Sequence, residues 1–210
     1  MKKYILLDWD GNLARTLDVW LEACRAPLLK RGLDLTDEEI ATCFGAPVKR
    51  FGEWGVSDVE QAIEEMESIA KANLENVALY PDALFVLEAL KNRGKKLALI
   101  TTSKHNFVKN LLDKYDMTHY FDVIVAGDDV TNHKPHPEPL QKAIEALNGK
   151  PTDSVMIGDS DKDIGAAVNA SMESILFYPP EHSKFYNLEN LRQFSPTYII
   201  DDFKKILELV

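Results

Sequence analysis

Residues 4–13 spell YILLDWDGNL, and this stretch indicates both the kind of fold and a candidate site. Four apolar residues end at Asp8, and a second carboxylate, Asp10, follows two positions later, just before a glycine. A short apolar run bounded by turn residues predicts a buried strand. A buried carboxylate without a partner is costly. The two acids therefore lie either at a solvated strand end or where a cation joins them.

Five more apolar runs resemble the first and predict further strands. They are Leu97–Thr101, Val123–Val125, Val155–Ile157, Ser174–Phe177 and Tyr198–Ile200. Apolar residues at helical spacing precede two of these runs: Leu84, Leu87 and Leu90 before one, and Leu140, Ala143, Ile144 and Leu147 before another. Strands that alternate with helices predict a Rossmann-like α/β core, a parallel sheet with right-handed crossovers and helices on both faces.

Residues 15–79 break this alternation, because they contain helical patterns and no convincing strand. One stripe comprises Leu17, Trp20, Leu21, Cys24 and Leu28, with Pro27 expected to bend or end its helix, and another comprises Ile63, Met66, Ala70, Asn73, Leu74 and Val77. We expect an all-helical cap over 15–79, inserted into a core formed by 1–14 and 80–210. A helical domain packed rigidly on the core is the alternative.

Reactive side chains follow four of the predicted strands. Asp8 and Asp10 follow the first, Thr101-Thr102-Ser103 the second, Lys134 lies in the loop after the third, and GDSDKD, residues 158–163, follows the fourth. The ligand sites of open parallel sheets lie beyond the carboxyl ends of the strands. All four groups should therefore converge at one edge of the sheet.

These residue types suit phosphoryl transfer. A carboxylate can form an aspartyl-phosphate, and Mg²⁺ bridges one or two carboxylates, here Asp8 and Asp159, to a substrate phosphate. A lysine and a hydroxyl can neutralise and orient the phosphate oxygens. Neither acidic stretch has the glycine and glutamate that an EF-hand requires, and the chain has no Walker or G-x-G-x-x-G motif.

Composition narrows the classes of partner. A formal net charge of −10 argues against nucleic acid and against an anionic membrane surface. No stretch approaches the roughly 18 apolar residues that span a bilayer. Two cysteines without a C-x-x-C spacing fit a reducing compartment. We expect a cytoplasmic protein that acts on a small phosphorylated metabolite.

The motifs DWDGN, LALITTS, HKP and GDSDKD together resemble those of the haloacid dehalogenase superfamily, in its subfamily with a helical cap after the first strand. The resemblance implies that Asp8 is the nucleophile and a Mg²⁺ ligand. It implies that Asp10 is the general acid and base, with its backbone carbonyl on the metal.

The remaining motifs resemble the family's phosphate and metal positions. By resemblance, Thr101 supplies a phosphate-binding hydroxyl beside the Thr102 amide, and Lys134 steadies Asp8 and the phosphoryl group. Asp159 is similar to the direct metal ligand, and Asp163 to the carboxylate that holds a metal-bound water.

Two residues depart from the family pattern. Asn12 stands where the family usually has Thr or Val, and it can still hydrogen-bond in the turn. Arg15 stands at the start of the predicted cap, where it reaches toward an anionic substrate or forms a surface salt bridge. Lys49, Arg50 and His105 are further polar candidates for substrate specificity.

The function that these motifs imply is a Mg²⁺-dependent phosphatase acting on a small phosphomonoester. Asp10 counts against a 2-haloacid dehalogenase, because those enzymes lack an acid/base aspartate at this position. A phosphomutase on the same core stays open, and so does a phosphonatase, for which Lys30, Lys49 and Lys71 offer amines. An inactive binding module is the least favoured alternative.

Overall fold

The computed structural model describes residues 2–210, and six strands in it form one parallel sheet. The strands are β1 (Tyr4–Leu7), β2 (Lys96–Ile100), β3 (Val123–Val125), β4 (Ser154–Gly158), β5 (Glu173–Phe177) and β6 (Tyr198–Ile200). Their order across the sheet is β3-β2-β1-β4-β5-β6, and every neighbouring pair is parallel. The predicted α/β fold is confirmed, and each predicted strand lies within one residue of an observed one.

Strand β1 lies at the centre of the sheet, which explains why its sequence is continuously apolar. It pairs with β2 on one side and β4 on the other, with Leu7 opposite both Leu99 and Ile157. All four of its residues are buried, as expected for a parallel strand covered on both faces. The residue that follows, Asp8, therefore emerges at the middle of the sheet's carboxyl edge.

Ten α-helices complete the described structure. They are α1 (Leu17–Lys30), α2 (Asp37–Ala41), α3 (Pro47–Glu53), α4 (Val59–Leu74), α5 (Ala83–Asn92), α6 (His105–Lys114), α7 (Glu138–Ala146), α8 (Asp161–Asn169), α9 (Leu188–Arg192) and α10 (Ile206–Leu209). Helices α7 and α8 pack on one face of the sheet, where Ala143 and Ala166 join Leu6 in one buried cluster. Helix α5 packs against β2 and buries Leu87 and Leu90, whereas Leu84 of the predicted stripe is exposed and Val86 is buried.

The chain separates into two compact units. The core unit comprises the chain up to Ala14, Leu79–Ser183 and Asn187–Val210, and the helical unit comprises Arg15–Ala78 together with Lys184–Tyr186. No pattern in the sequence predicted that Lys184–Tyr186 would belong to the helical unit, and this segment lies within the range expected for the core. This segment is held there by an ion pair of 2.5 Å between Lys184 and Asp18 and by the ring of Phe185, 6.3 Å from that of Phe44.

The helical unit is built on the packing of α1 against α4. Leu21 and Leu28 of α1 and Met66 of α4 are buried. Pro27 lies inside α1, so of the two outcomes expected for it, a bend or an end of the helix, the second is wrong. Proline removes one helical hydrogen bond, and the apolar area that Cys24 and Leu28 bury on the same helix opposes that loss. No helix among residues 2–210 is long and apolar enough to cross a membrane.

Candidate active site

A lysine and two aspartates from three parts of the chain meet at the carboxyl edge of the sheet. The Lys134 ammonium lies 2.6 Å from Oδ1 of Asp8 and 2.6 Å from Oδ1 of Asp163. It also donates to the backbone carbonyl of Ile100 at 3.2 Å. All three charged side chains are almost fully buried. Three of the predicted site residues are therefore brought into direct contact.

The start of α8 fixes Asp163. Ser160, the N-cap residue, donates to Oδ2 of Asp163 from its hydroxyl at 2.6 Å and from its backbone N–H at 3.2 Å. Oδ1 of Asp163 is thereby left facing Lys134. Ser160 was not among the predicted site residues, although a serine followed three residues later by an acid is the usual pattern of a capping box.

Gly158, the last residue of β4, leaves the space that Asp163 fills. A Cβ atom at Gly158 would lie 2.3 Å from Cγ of Asp163, a distance that no real Cβ contact allows. The position therefore admits only glycine as long as Asp163 keeps its place. The motif GDSDKD contains this glycine, and the packing of Asp163 explains why no larger residue can replace it.

Asp159 joins Asp8 and Asp163 in a cluster suited to a cation. Carboxylate oxygens of the three residues lie within 4.8 Å of one another. Asp159 is buried, and its Oδ2 has no hydrogen-bond partner among residues 2–210. Such an orphaned, buried acceptor is costly unless a donor or a cation completes it.

The electrostatics of the cluster show an excess of negative charge. Burial, together with the nearby carboxylates, raises the pKa of Asp8 to about 8, although Lys134 acts in the opposite direction. Burial, with Asp163 and Asp8, likewise raises the pKa of Asp159 well above its ordinary value. Burial tends to lower the pKa of Lys134, but the two carboxylates beside it hold that pKa above its usual range. A divalent cation fits this donor set.

The loop after β2 lies against the turn after β1. The Ser103 hydroxyl donates to Oδ2 of the half-buried Asp10 at 3.3 Å, and the Ser103 backbone N–H donates to Oγ1 of Thr101 at 3.1 Å. Gly127, in the loop after β3, allows that loop to approach the loop after β2, because a Cβ at Gly127 would lie 2.2 Å from the backbone oxygen of Thr102. The structure thus places Asp10, Thr101 and Thr102 at the same edge as Lys134.

The two residues that depart from the family pattern have different surroundings. Asn12 is fully buried, and its Nδ2 donates to the backbone oxygen of Asp8 at 3.0 Å, so it does hydrogen-bond within the turn. Arg15 is exposed and is the first residue of the helical unit, where its backbone N–H donates to the carbonyl of Ala78.

The other polar candidates already have acidic neighbours. Lys49 and Arg50 lie 3.7 Å and 2.8 Å from carboxylate oxygens of Glu53 on the same helix, α3. The His105 ring lies 3.3 Å from Oδ2 of Asp129. These contacts are near the surface, where an ion pair adds little stability.

Comparison with known proteins identifies the same family that the motifs resemble. The family of haloacid dehalogenase-like hydrolases matches residues 5–177, most of the chain. The chain belongs to this family. A pyrophosphatase PpaX of Bacillus mycoides is 33% identical to this haloacid dehalogenase-like hydrolase over 209 residues, which cover 98% of the chain and 95% of the relative. A phosphoglycolate phosphatase of Psychrobacter arcticus is 30% identical over 223 residues, covering 99% and 95%.

Solved structures show the same fold. A haloacid dehalogenase-like hydrolase of Bacteroides fragilis superposes with a TM-score of 0.87 at 27% identity, covering 98% of this chain and 100% of its own. A beta-phosphoglucomutase of Clostridium difficile superposes with a TM-score of 0.81 at 24% identity, covering 99% and 96%, and this likeness shows the fold alone. The chain is an enzyme, a phosphatase-type hydrolase of the haloacid dehalogenase-like family.

Proposed function

We propose that this hydrolase is a Mg²⁺-dependent phosphatase that cleaves a small phosphomonoester through an aspartyl-phosphate on Asp8. The observation that carries the proposal is the contact of Asp8 with Lys134, inside a buried cluster that also contains Asp159 and Asp163. A nucleophilic carboxylate, a neighbouring cation and an incomplete set of oxygen ligands are the parts that this reaction requires.

The residues present fit a magnesium ion. Asp8 and Asp159 would bind it directly, the backbone carbonyl of Asp10 would add a third oxygen, and Asp163 would hold a metal-bound water. When bound, the ion would supply positive charge opposite the phosphate oxygens and offset the mutual repulsion of the carboxylates. The orphaned Oδ2 of Asp159 supports this ligand set.

The protein's own groups account for the two halves of the reaction. In the first half, a carboxylate oxygen of Asp8 bonds to phosphorus while the ester bond breaks, and Asp10 gives its proton to the leaving oxygen. In the second, Asp10 takes a proton from the attacking water, the phosphorus–Asp8 bond breaks and inorganic phosphate leaves. Lys134, the Thr101 hydroxyl and the Thr102 amide would bind the non-bridging oxygens, where charge stabilisation matters most.

The substrate is proposed at the level of class. The named relatives act on phosphoglycolate or pyrophosphate, both small and strongly anionic, and the net charge of −10 makes binding of any such anion depend on locally placed cations such as Lys134. That the helical unit serves as a cap, and that Arg15 in it binds a substrate anion, stay predictions.

The test is phosphate release from a panel comprising phosphoglycolate, pyrophosphate, p-nitrophenyl phosphate and a hexose 1-phosphate, each with and without Mg²⁺. We expect metal-dependent phosphate release from at least one phosphomonoester, and its loss in Asp8→Asn, which keeps the size of the side chain and removes the nucleophile. Conversion of the hexose 1-phosphate to its 6-phosphate without phosphate release would establish a phosphomutase instead. Full activity of Asp8→Asn would refute the covalent mechanism.

A further inference from the structure

The core of the helical unit contains a row of three sulfur atoms that the proposed reaction does not use. The Cys43 thiol donates to Sγ of Cys24 at 3.1 Å, and the Cys24 thiol donates to Sδ of Met66 at 3.6 Å. All three side chains are buried, the two cysteines almost completely. The cysteines lie on separate elements, Cys24 within α1 and Cys43 in the turn after α2.

The short contact makes a covalent bond between the two thiols geometrically accessible. At 3.1 Å no other atom separates the sulfurs, and a disulfide would require them to approach by about 1 Å more. A disulfide is also uncharged and apolar, so it suits a buried site.

A soft metal ion fits the same sulfurs less well. Metal binding requires thiolates, and two thiolates would place negative charge where both cysteines are buried, which is costly. Among residues 2–210, no histidine, aspartate or glutamate joins the two thiols in a cluster able to hold a metal. The chemistry therefore favours oxidation over metal binding.

We propose that Cys24 and Cys43 form a reversible disulfide that joins α1 to the turn after α2, with a low-molecular-weight disulfide such as oxidised glutathione as the oxidant. One protein thiolate attacks a sulfur of glutathione disulfide and releases one glutathione thiolate. The second protein thiolate attacks the protein sulfur of this mixed disulfide, which forms the Cys24–Cys43 bond, breaks the bond to glutathione and releases the second glutathione thiolate. Two protein thiols are oxidised, one glutathione disulfide is reduced to two glutathiones, and the thiol protons pass to the released thiolates.

The structure also indicates how the oxidant reaches a buried pair. Helix α2 has only five residues, Asp37–Ala41, and a helix that short is not stable without its packing. Local opening of α2 would expose Cys43 without unfolding the rest of the chain, because proteins open in local units as well as globally. The hydrogen bond with Cys43 and burial raise the pKa of Cys24, so the reaction should be slow in the closed state and faster at higher pH.

The experiment uses the full chain, equilibrated with mixtures of oxidised and reduced glutathione, acid-quenched, and alkylated in denaturant. We expect the wild-type protein to lose the mass of two hydrogen atoms, to resist alkylation at both cysteines, and to yield one cross-linked peptide pair that dithiothreitol separates. We also expect the oxidised protein to contain no cross-link between chains and to melt at a higher temperature than the reduced protein, because the bond constrains the unfolded chain.

Single variants provide the controls. Cys43→Ala and Cys24→Ala each leave one thiol, so neither can form the intramolecular bond. Three wild-type results would overturn the proposal: both thiols still reduced at the most oxidising ratio, glutathione adducts or cross-linked dimers as the only products, or an oxidised monomer that melts lower than the reduced one. These readouts do not depend on phosphatase activity.

Discussion

The ammonium of Lys134 lies 2.6 Å from the Asp8 carboxylate, and both groups are buried at the carboxyl edge of the sheet. The same ammonium also contacts Asp163 at 2.6 Å. One cation therefore serves two carboxylates, and a third carboxylate, Asp159, lies within reach of both. We therefore expect the stability of the metal-free core to depend on this lysine, and the proposed metal binding to depend on the negative charge that the lysine leaves uncompensated.

Lys134→Met should destabilise the metal-free protein strongly. Removal of one partner from a buried ion pair costs about 3–5 kcal/mol, because the remaining charge is buried without compensation. Protonation of Asp8, whose pKa is raised to about 8, can relieve that penalty, so the loss should be larger at about pH 8 than at about pH 5. Urea unfolding in EDTA at the two pH values measures the difference.

Lys204→Met is the matched control for this prediction. Lys204 lies 3.0 Å from Asp82 in an exposed ion pair, and such pairs contribute about 1 kcal/mol or less. Equal losses in the two variants would show that Lys134 does not compensate the buried carboxylates.

Asp159→Asn should raise the stability of the metal-free core and lower its affinity for Mg²⁺. The substitution replaces a carboxyl group whose pKa is raised by burial, which means that the folded state disfavours its ionised form. The metal-free variant should therefore melt at a higher temperature than the wild type at neutral pH. It also removes a proposed ligand, so Mg²⁺ should raise its melting temperature less. Thermal melts with and without Mg²⁺ give both quantities, and a variant that melts lower than the wild type in EDTA while keeping the full Mg²⁺ response would contradict the assignment.

Magnesium binding should release protons. Asp8 has a pKa of about 8 in the metal-free protein, and a metal displaces the proton from such a ligand. A raised pKa also means that the contribution of Asp8 to stability is present at low pH and is lost as pH rises from about 4 to about 8. The apparent Mg²⁺ affinity should therefore increase over the same range.

Calorimetric titrations in two buffers of different ionisation enthalpy measure the protons released. We expect net release near neutral pH in the wild type and a smaller release in Asp8→Asn. Identical apparent enthalpies in both buffers would mean that the ligands are already ionised before the metal binds.

The strands and the chemistry-bearing residues could be predicted from sequence because each signal is local. Strand β1 is buried on both faces and is therefore continuously apolar, and a parallel sheet brings the residues after its strands to one edge. Which face of a helix is buried depends on tertiary packing. On α5 the structure buries Val86 and exposes Leu84, although a leucine repeat indicated the opposite.

Two features that depend on contacts between residues distant in sequence could not be predicted. Lys184–Tyr186 joins the helical unit through an ion pair and a ring contact with residues more than a hundred positions away. The clash that reserves Gly158 for glycine depends on where α8 places the side chain of Asp163. No pattern within either segment carries that information.

Gly158→Ala should destabilise the core and weaken Mg²⁺ binding together. The added Cβ would lie 2.3 Å from Cγ of Asp163, so Asp163 must move and lose its contacts with Ser160 and Lys134. Forced rearrangement of a packed site typically costs about 1–3 kcal/mol. Gly52→Ala is the control of opposite sign: it lies within α3 with no atom within 4 Å of the new Cβ, and it should stabilise the protein by about 0.5–1 kcal/mol.

A double-mutant cycle shows whether the penalty at Gly158 acts through Asp163. Asp163→Ala removes the atoms that the new Cβ would meet, so Gly158→Ala should cost much less in that background than in the wild type. Residues in contact commonly show interaction energies of about 0.5–3 kcal/mol, whereas independent sites add within about 0.5 kcal/mol. Urea unfolding of the four proteins in EDTA gives the interaction energy. Strict additivity would place the clash elsewhere and would remove the steric requirement for glycine at the end of β4.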